Sequence, residues 1–79
     1  MLVERKVQLS SLEEIKDFIV MAGKYRCDIK VKTKNKIVDG KSMMGIVSLA
    51  AHQPLTVVAK GDDACDFAGQ LDQILYRSQ

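Results

Sequence analysis

The segment from Gly40 to Leu49 has the residue types of a binding surface. Its apolar part follows Ser42, and it contains no charged residue after Lys41. Ser42 is a good helix N-cap residue, because its hydroxyl can accept a hydrogen bond from a backbone N–H that the first helical turn leaves unpaired. The sequence therefore predicts a short helix that begins directly after Ser42.

The apolar residues of this predicted helix divide into two sets. Ile46 and Leu49 lie three positions apart, so they can share a face that points into a core. Three apolar residues fall around the other side: Met43, Met44 and Val47. This second set, with Lys41 at its edge, predicts a docking surface for a partner protein; the alternative is that all five residues are core, since methionine commonly fills gaps. Gly45 costs about 1 kcal/mol relative to alanine inside a helix, which indicates a close packing contact.

Residues suited to nucleophilic, acid–base or metal chemistry are scattered along the chain. His52 is the only histidine, and its place after the predicted helix favours a surface or loop-packing role. Cys27 and Cys65 are far apart and have no second cysteine or histidine beside them, which favours reduced structural thiols over a metal site. Ser11 precedes a stretch whose apolar residues recur at helical spacing. Like Ser42, it is therefore predicted to be a helix N-cap, whose hydroxyl accepts a backbone N–H of the first turn. We therefore expect no catalytic residue, no cofactor, no metal site and no enzymatic activity.

Five lysines between positions 30 and 41 raise a nucleic-acid hypothesis. Alternation along a strand would place Lys30 and Lys32 on a solvent face, with Lys34, Lys36 and Lys41 nearby. No aromatic residue is interleaved to stack on bases, and the net charge is only +2. A solvated basic face is the favoured interpretation, and nucleic-acid binding is the least favoured function.

Length and composition restrict the remaining classes. The chain has 79 residues, of which 47% are hydrophobic and 28% charged, as in a folded domain rather than a disordered segment. We therefore expect one domain over residues 1–79. No apolar run approaches the roughly 20 residues of a membrane span, and the N-terminus lacks a signal-peptide pattern. These observations predict a cytoplasmic protein without a membrane partner.

The elements that must position Ser42 follow from periodicity and turn residues. Alternation of apolar and polar residues predicts strands, and apolar residues repeating every 3.6 positions predict helices. Residue pairs that contain Gly, Pro or Asn mark the turns. The predicted strands are Leu2 to Leu9, Tyr25 to Thr33, Lys36 to Asp39 and Leu55 to Lys60. The predicted helices begin at the overlapping Ser10/Glu13 and Ser11/Glu14 capping boxes, at Ser42, and at Asp62 or Asp63. This order predicts an α+β fold, with an antiparallel four-stranded sheet and three helices on one face.

The apolar stripes of the two longer helices specify what these helices bury. The first follows Leu12, Ile15, Ile19 and Ala22 at helical spacing, with Phe18 beside them, and ends near Gly23. The last has its stripe at Ala64, Phe67, Ala68, Leu71, Ile74 and Leu75, followed by a fraying end. In the first strand, Arg5 is the exception on an otherwise apolar side.

The stretch from Ile37 to Leu49 resembles the second-helix region of HPr, the phosphocarrier of the bacterial sugar phosphotransferase system. The resemblance continues through Val57, Val58, Gly61 and Asp62. It implies the HPr family's open-faced βαββαβα sandwich, in agreement with the element order. It also implies that Ser42 is a candidate for phosphorylation by HPr kinase, which modifies the serine at this place in the Gram-positive branch of the family. The alternative is that Ser42 is only a helix cap.

The resemblance fails where the family's phosphotransfer site lies. That site is a glycine, aliphatic, histidine, alanine, arginine, proline motif at the start of the first helix. Alignment on Met21 and Tyr25 places Ser11 opposite the histidine and Glu13 opposite the arginine, and no histidine or arginine occurs between Val7 and Tyr25. The sequence thus predicts a non-catalytic, protein-binding member, similar in this respect to the family's catabolite-repression paralogue. HPr kinase and a transcriptional regulator are the implied partners, and an unorthodox phosphocarrier is the alternative.

Overall fold

The structure is a computed structural model that describes residues 1–51 and 54–77, with side-chain surroundings described as far as Ile74. The predicted role of His52 and the predicted burial of Leu75 lie outside this range. The elements, in chain order, are β1 Leu2–Val7, α1 Leu12–Ala22, β2 Asp28–Lys32, β3 Ile37–Asp39, α2 Met43–Leu49, β4 Leu55–Lys60 and α3 Ala64–Arg77. The predicted order of strands and helices is confirmed.

The four strands form one antiparallel sheet in the order β1-β4-β2-β3. β4 lies between β1 and β2, so that Thr56 is paired with Lys6 on one side and with Lys32 on the other. The three helices cover one face and leave the other open. This is the predicted α+β open-faced sandwich.

The core lies between the sheet and the helices. Phe18 of α1 and Phe67 of α3 meet edge to face, with ring centroids 6.1 Å apart. Ile46 of α2 is fully buried with them, as are Ile29 and Val57 of the central strands. Burial of these side chains, each worth about 1.5–3 kcal/mol, fixes which face every element turns inward.

Arg5 is accommodated on the helix side of β1 by an ion pair. Its Nε donates to Asp72 Oδ1 of α3 at 3.0 Å, and its second guanidinium nitrogen lies 3.4 Å from Oδ2. Both side chains are about half exposed, so the charges stay in contact with water. The apparent exception in the β1 pattern is therefore a tether between the sheet edge and α3.

The first helix differs from its predicted pattern at one end. The Ser11/Glu14 box forms, since the Glu14 N–H donates to Ser11 Oγ at 3.1 Å. Ser10 donates its hydroxyl to Glu14 Oε1 and does not pair with Glu13 as the alternative box predicted. Leu12, at the start of the predicted apolar stripe, is 65% exposed because it is the first helical residue, before the turns that pack on the core.

β2 is shorter than predicted, and the reason lies in the loop before α3. The carboxylate of Asp63 accepts the backbone N–H groups of Arg26 and Cys27 at 2.8 and 2.9 Å. These amides therefore bond a side chain rather than a neighbouring strand, and β2 begins at Asp28 instead of Tyr25. Asp63 stands at the N-cap position of α3, as predicted, since its carbonyl accepts the Phe67 N–H at 3.0 Å, while its carboxylate holds the α1–β2 loop.

Candidate partner-binding site

A tight corner between β3 and α2 sets the position of Ser42. Gly40 donates its N–H to the Ile29 carbonyl at 2.7 Å, and a Cβ on Gly40 would lie only 2.4 Å from Ile29 Cγ2. The Lys41 N–H bonds the Asp39 carboxylate at 2.9 Å, and the Ser42 N–H bonds the Asp39 carbonyl at 3.1 Å. Glycine is required here because the backbone of the corner lies directly against β2.

Ser42 caps α2, as the sequence predicts. Its backbone is extended, with φ −102° and ψ 111°, and its Oγ accepts the Gly45 N–H at 3.3 Å. The first intrahelical bond runs from the Ile46 N–H to the Ser42 carbonyl at 3.1 Å. The hydroxyl is partly exposed and adjoins the N–H groups of the first turn, where a negative charge is favourable.

The apolar residues of α2 divide as predicted. Ile46 and Leu49 are completely buried, whereas Met43, Met44 and Val47 are 39%, 85% and 44% exposed. The alternative in which all five are core is therefore wrong. We call the exposed set, Met43, Met44 and Val47, the α2 face. It adjoins Ser42 directly, since Met43 is the next residue in the chain.

Gly45 has the close packing contact that the sequence predicted. A Cβ on Gly45 would lie 3.0 Å from Val38 Cβ and 3.3 Å from Ser42 Oγ. The first turn of α2 thus lies against β3, which fixes the orientation of the helix. The outward direction of the α2 face follows from this contact and from the burial of Ile46.

Lys41 has a structural contact that sequence reasoning missed. Its Nζ donates to the Tyr25 carbonyl at 2.8 Å, which ties the start of α2 to the α1–β2 loop. Tyr25 in turn donates its hydroxyl to Gln70 Oε1 at 2.6 Å and packs edge to face on Phe67. The residue remains exposed, so the predicted role of Lys41 in partner contact remains a prediction beside this observed one.

The start of α1 presents a different chemistry. Ser11 is the N-cap, and the first turn carries Glu13 and Glu14. The Ser11 hydroxyl also donates to Glu14 Oε1 at 3.2 Å, so both of its hydrogen-bonding roles are used within the helix start. A phosphoryl group at this end would meet two carboxylates and no basic residue of the first turn. The assignment of Ser11 and Glu13 to the family's phosphotransfer positions remains a prediction.

The Cys27 thiol is buried, and the backbone N–H of this residue donates to the Asp63 carboxylate. Burial raises the pKa of Cys27, and the hydrogen bond and negative charge of Asp63 raise it further. The pKa of Asp63 is lowered, mainly because the backbone N–H of Arg26 donates a hydrogen bond to its carboxylate. Cys27 is therefore held as a neutral thiol, consistent with the predicted structural role. Within residues 1–51 and 54–77, no group of three or more potential ligands is placed to hold a metal ion.

The five lysines of the nucleic-acid hypothesis do not form one cluster. Lys30 lies 3.4 Å from the Asp28 carboxylate, and Lys41 is bonded to the Tyr25 carbonyl. Lys32 is on the open face of the sheet, and Lys34 and Lys36 lie in the β2–β3 hairpin. The lysines thus have three different surroundings: Lys30 and Lys32 lie on the open sheet face, Lys34 and Lys36 in the hairpin, and Lys41 at the start of α2.

Comparison with known proteins places the chain among small phosphotransferase-system proteins. Residues 13–76 match the family model described as the PTS HPr component phosphorylation site, a range that includes Ser42 and begins after Ser11. No match is found among curated protein sequences. The helices of the described residues include none long and apolar enough to cross a membrane.

Solved structures agree with this match. HPr-C-His from Thermoanaerobacter tengcongensis is 28% identical with a TM-score of 0.76, covering 96% of this chain and 91% of that chain. The phosphocarrier protein HPr from Bacillus anthracis is 30% identical with a TM-score of 0.72, covering 89% and 92%. The catabolite repression containing protein Crh from Bacillus subtilis is 26% identical with a TM-score of 0.71, covering 95% and 87%.

Proposed function

The chain belongs to the HPr family of the phosphotransferase system, and from this premise we propose that it is a non-catalytic regulatory domain that binds partner proteins. It binds them through the α2 face, and phosphorylation of Ser42 controls that binding. HPr kinase is the proposed modifying partner, and a transcriptional regulator is the proposed target. The protein acts by binding and has no enzymatic activity of its own.

The exposure of the α2 face is the observation that carries this proposal. Met44 is 85% exposed on a helix whose opposite side, at Ile46 and Leu49, is completely buried. An exposed methionine pair is adaptable in shape and suits a surface that docks onto another protein. The surface also has a fixed orientation, because Gly45 packs against Val38.

A phosphate on Ser42 would alter this surface through charge. It adds about −1.5 to −2 charges and three acceptor oxygens beside the N–H groups of the first turn. The helix start stabilises such a charge, so the fold is retained. A partner protein, however, meets a dianion next to Met43. The α2 face is then complementary to a different protein surface.

The start of α1 argues against the alternative, an unorthodox phosphocarrier. Histidine phosphotransfer needs an imidazole nitrogen to accept the phosphoryl group and cations or N–H groups to hold its charge. Residues 8–24 contain neither histidine nor arginine, and the first turn carries Glu13 and Glu14. Ser11 is occupied as a helix cap.

Incubation with HPr kinase and ATP tests the regulatory proposal. Intact-mass and peptide mass spectrometry should find one phosphate, on Ser42, and Ser42→Ala should abolish it at a stability cost of about 1 kcal/mol. Ser48→Ala is the matched control, since Ser48 is an exposed serine of the same helix that donates to the Gly45 carbonyl at 2.6 Å. The proposal fails if the folded wild-type protein stays unmodified, or if the phosphate lies on Ser48, Ser10 or Ser11.

A further inference from the structure

A cavity at the hairpin end of the sheet has no part in the proposed partner binding. It has a volume of about 650 Å³, and its lining includes Lys6, Thr33, Lys34, Asn35, Lys36 and Thr56. We call it the hairpin cavity. Its size falls within the range of small-ligand sites, and its lining joins the β2–β3 hairpin to the open-face residues Lys6 and Thr56.

The strand register explains how Lys6 comes to lie beside the hairpin. Lys6 of β1 is paired with Thr56 of β4, and Thr56 is paired on its other side with Lys32 of β2, the strand that leads into the hairpin. The lysines that line the cavity are Lys6, Lys34 and Lys36. The Thr33 N–H bonds the Lys36 carbonyl at 2.9 Å and closes the hairpin that carries Lys34.

The charge of the hairpin cavity is not neutralised by neighbouring carboxylates. The ion pairs formed by the described residues are Arg5 with Asp72 and Lys30 with Asp28, and neither involves a lysine of the cavity. No aspartate or glutamate is among the described lining residues. Three lysines therefore line one concave surface that, in the part of the chain that the structure describes, has no carboxylate in its lining.

The remaining donors indicate which anion fits. Thr33, Thr56 and Asn35 also line the cavity and supply neutral hydrogen-bonding groups, beside an apolar part of the lining that includes Pro54. Phosphate groups carry several acceptor oxygens and up to two charges each, and lysine binds them as a point charge. One phosphate cannot balance three cations, whereas two or more phosphates can. No aromatic residue lines the described cavity, so nothing there would stack on nucleobases.

We propose that the hairpin cavity binds a small anion carrying two or more phosphate groups. The site is independent of the α2 face, because its open-face residues Lys6 and Thr56 lie on the opposite side of the sheet from the helices. Binding there leaves Ser42 and its neighbours accessible. The two proposals can therefore fail separately.

Titration with sodium tripolyphosphate, followed by amide chemical shifts at low ionic strength, tests the proposal. The amide resonances of Lys34, Asn35 and Lys36 should move and saturate together, and binding should weaken as salt is added. Lys34→Gln, Lys36→Gln and Lys6→Gln should each weaken binding about two- to fivefold, as expected for exposed ion pairs.

Lys30→Gln is the matched control. It removes a lysine from the same sheet face, but one whose ammonium already lies 3.4 Å from the Asp28 carboxylate. The control should leave tripolyphosphate affinity unchanged within a factor of two. A loss as large as that of Lys34→Gln would mean diffuse charge attraction and would overturn the site.

Two further arms distinguish the source of the phosphates. Vesicles containing a phosphorylated inositol lipid should retain the protein only if the ligand is a lipid headgroup. In that case, added tripolyphosphate should release the protein from the vesicles. Retention with such displacement supports the site and assigns it to lipid. The absence of saturable tripolyphosphate binding overturns the proposal, as does tighter binding of duplex DNA with shifts spread over the whole open face.

Discussion

Two adjacent residues of α2 should respond oppositely to truncation. Ile46 is completely buried and Val47 is 44% exposed, although both are β-branched residues of the same short helix. Ile46→Ala removes buried methyl and methylene groups and leaves a cavity, which should cost about 2–5 kcal/mol. Val47→Ala loses only partly buried methyl groups and gains helix propensity, so its effect should stay within about 0.5 kcal/mol.

These magnitudes are large against the stability of so small a domain. At about 0.05–0.15 kcal/mol per residue, the free energy of unfolding should be roughly 4–12 kcal/mol. Ile46→Ala should therefore lower the midpoint of thermal unfolding by at least about 8 °C, whereas Val47→Ala should shift it by less than about 4 °C. Thermal unfolding followed by circular dichroism measures both midpoints, and urea unfolding measures the corresponding changes in free energy. Equal losses of stability in the two variants would place Val47 in the core and would contradict the exposure of the α2 face.

Other substitutions test the remaining contacts. Gly40→Ala should destabilise the domain by about 1–3 kcal/mol in urea unfolding, because its Cβ would collide with Ile29; an unchanged midpoint would show that the corner can open. Phe67→Ala and Leu71→Ala should each cost about 2–5 kcal/mol, and losses under about 1 kcal/mol would mean that α3 does not pack on the sheet. Asp63 has a lowered pKa in the folded state, so its ionised form stabilises the fold above the ordinary aspartate pKa and loses this effect as pH falls. Urea unfolding between pH 7 and pH 2 should therefore show a smaller acid-induced loss for Asp63→Asn than for wild type, and parallel curves would contradict the role of this carboxylate.

The parts of the fold that periodicity determines could be predicted from the sequence. β4 is bounded at Leu55 and Lys60 as the turn residues indicated, and the capping pattern placed the starts of α1 and α2 correctly. The start of β2 could not be predicted, because it depends on Asp63, which is 36 residues away along the chain from Cys27. Alternation continues through Tyr25 and Cys27, but the backbone donors there bond a side chain instead of a strand.

The candidate site was predictable to a similar degree. Spacing placed Ile46 and Val47 on different sides of the helix but left open whether Val47 is also core. The structure shows that Ile46 is buried and Val47 is 44% exposed, since a helix that packs on a sheet buries one face. The contact from Lys41 to the Tyr25 carbonyl was not predictable, because it joins two loops that only the folded chain brings together. The hairpin cavity was hidden for the same reason, since Lys6 reaches it through the pairing of β1 with β4.

We propose that the chain regulates partners by binding and does not carry phosphoryl groups on histidine. Incubation with enzyme I and phosphoenolpyruvate, beside a histidine-containing HPr as the positive control, distinguishes these two functions. The control should gain an acid-labile phosphate, and this protein should gain none within the same time. An acid-labile phosphate on this protein, formed at a rate comparable to that of the control, would show that it is a phosphocarrier.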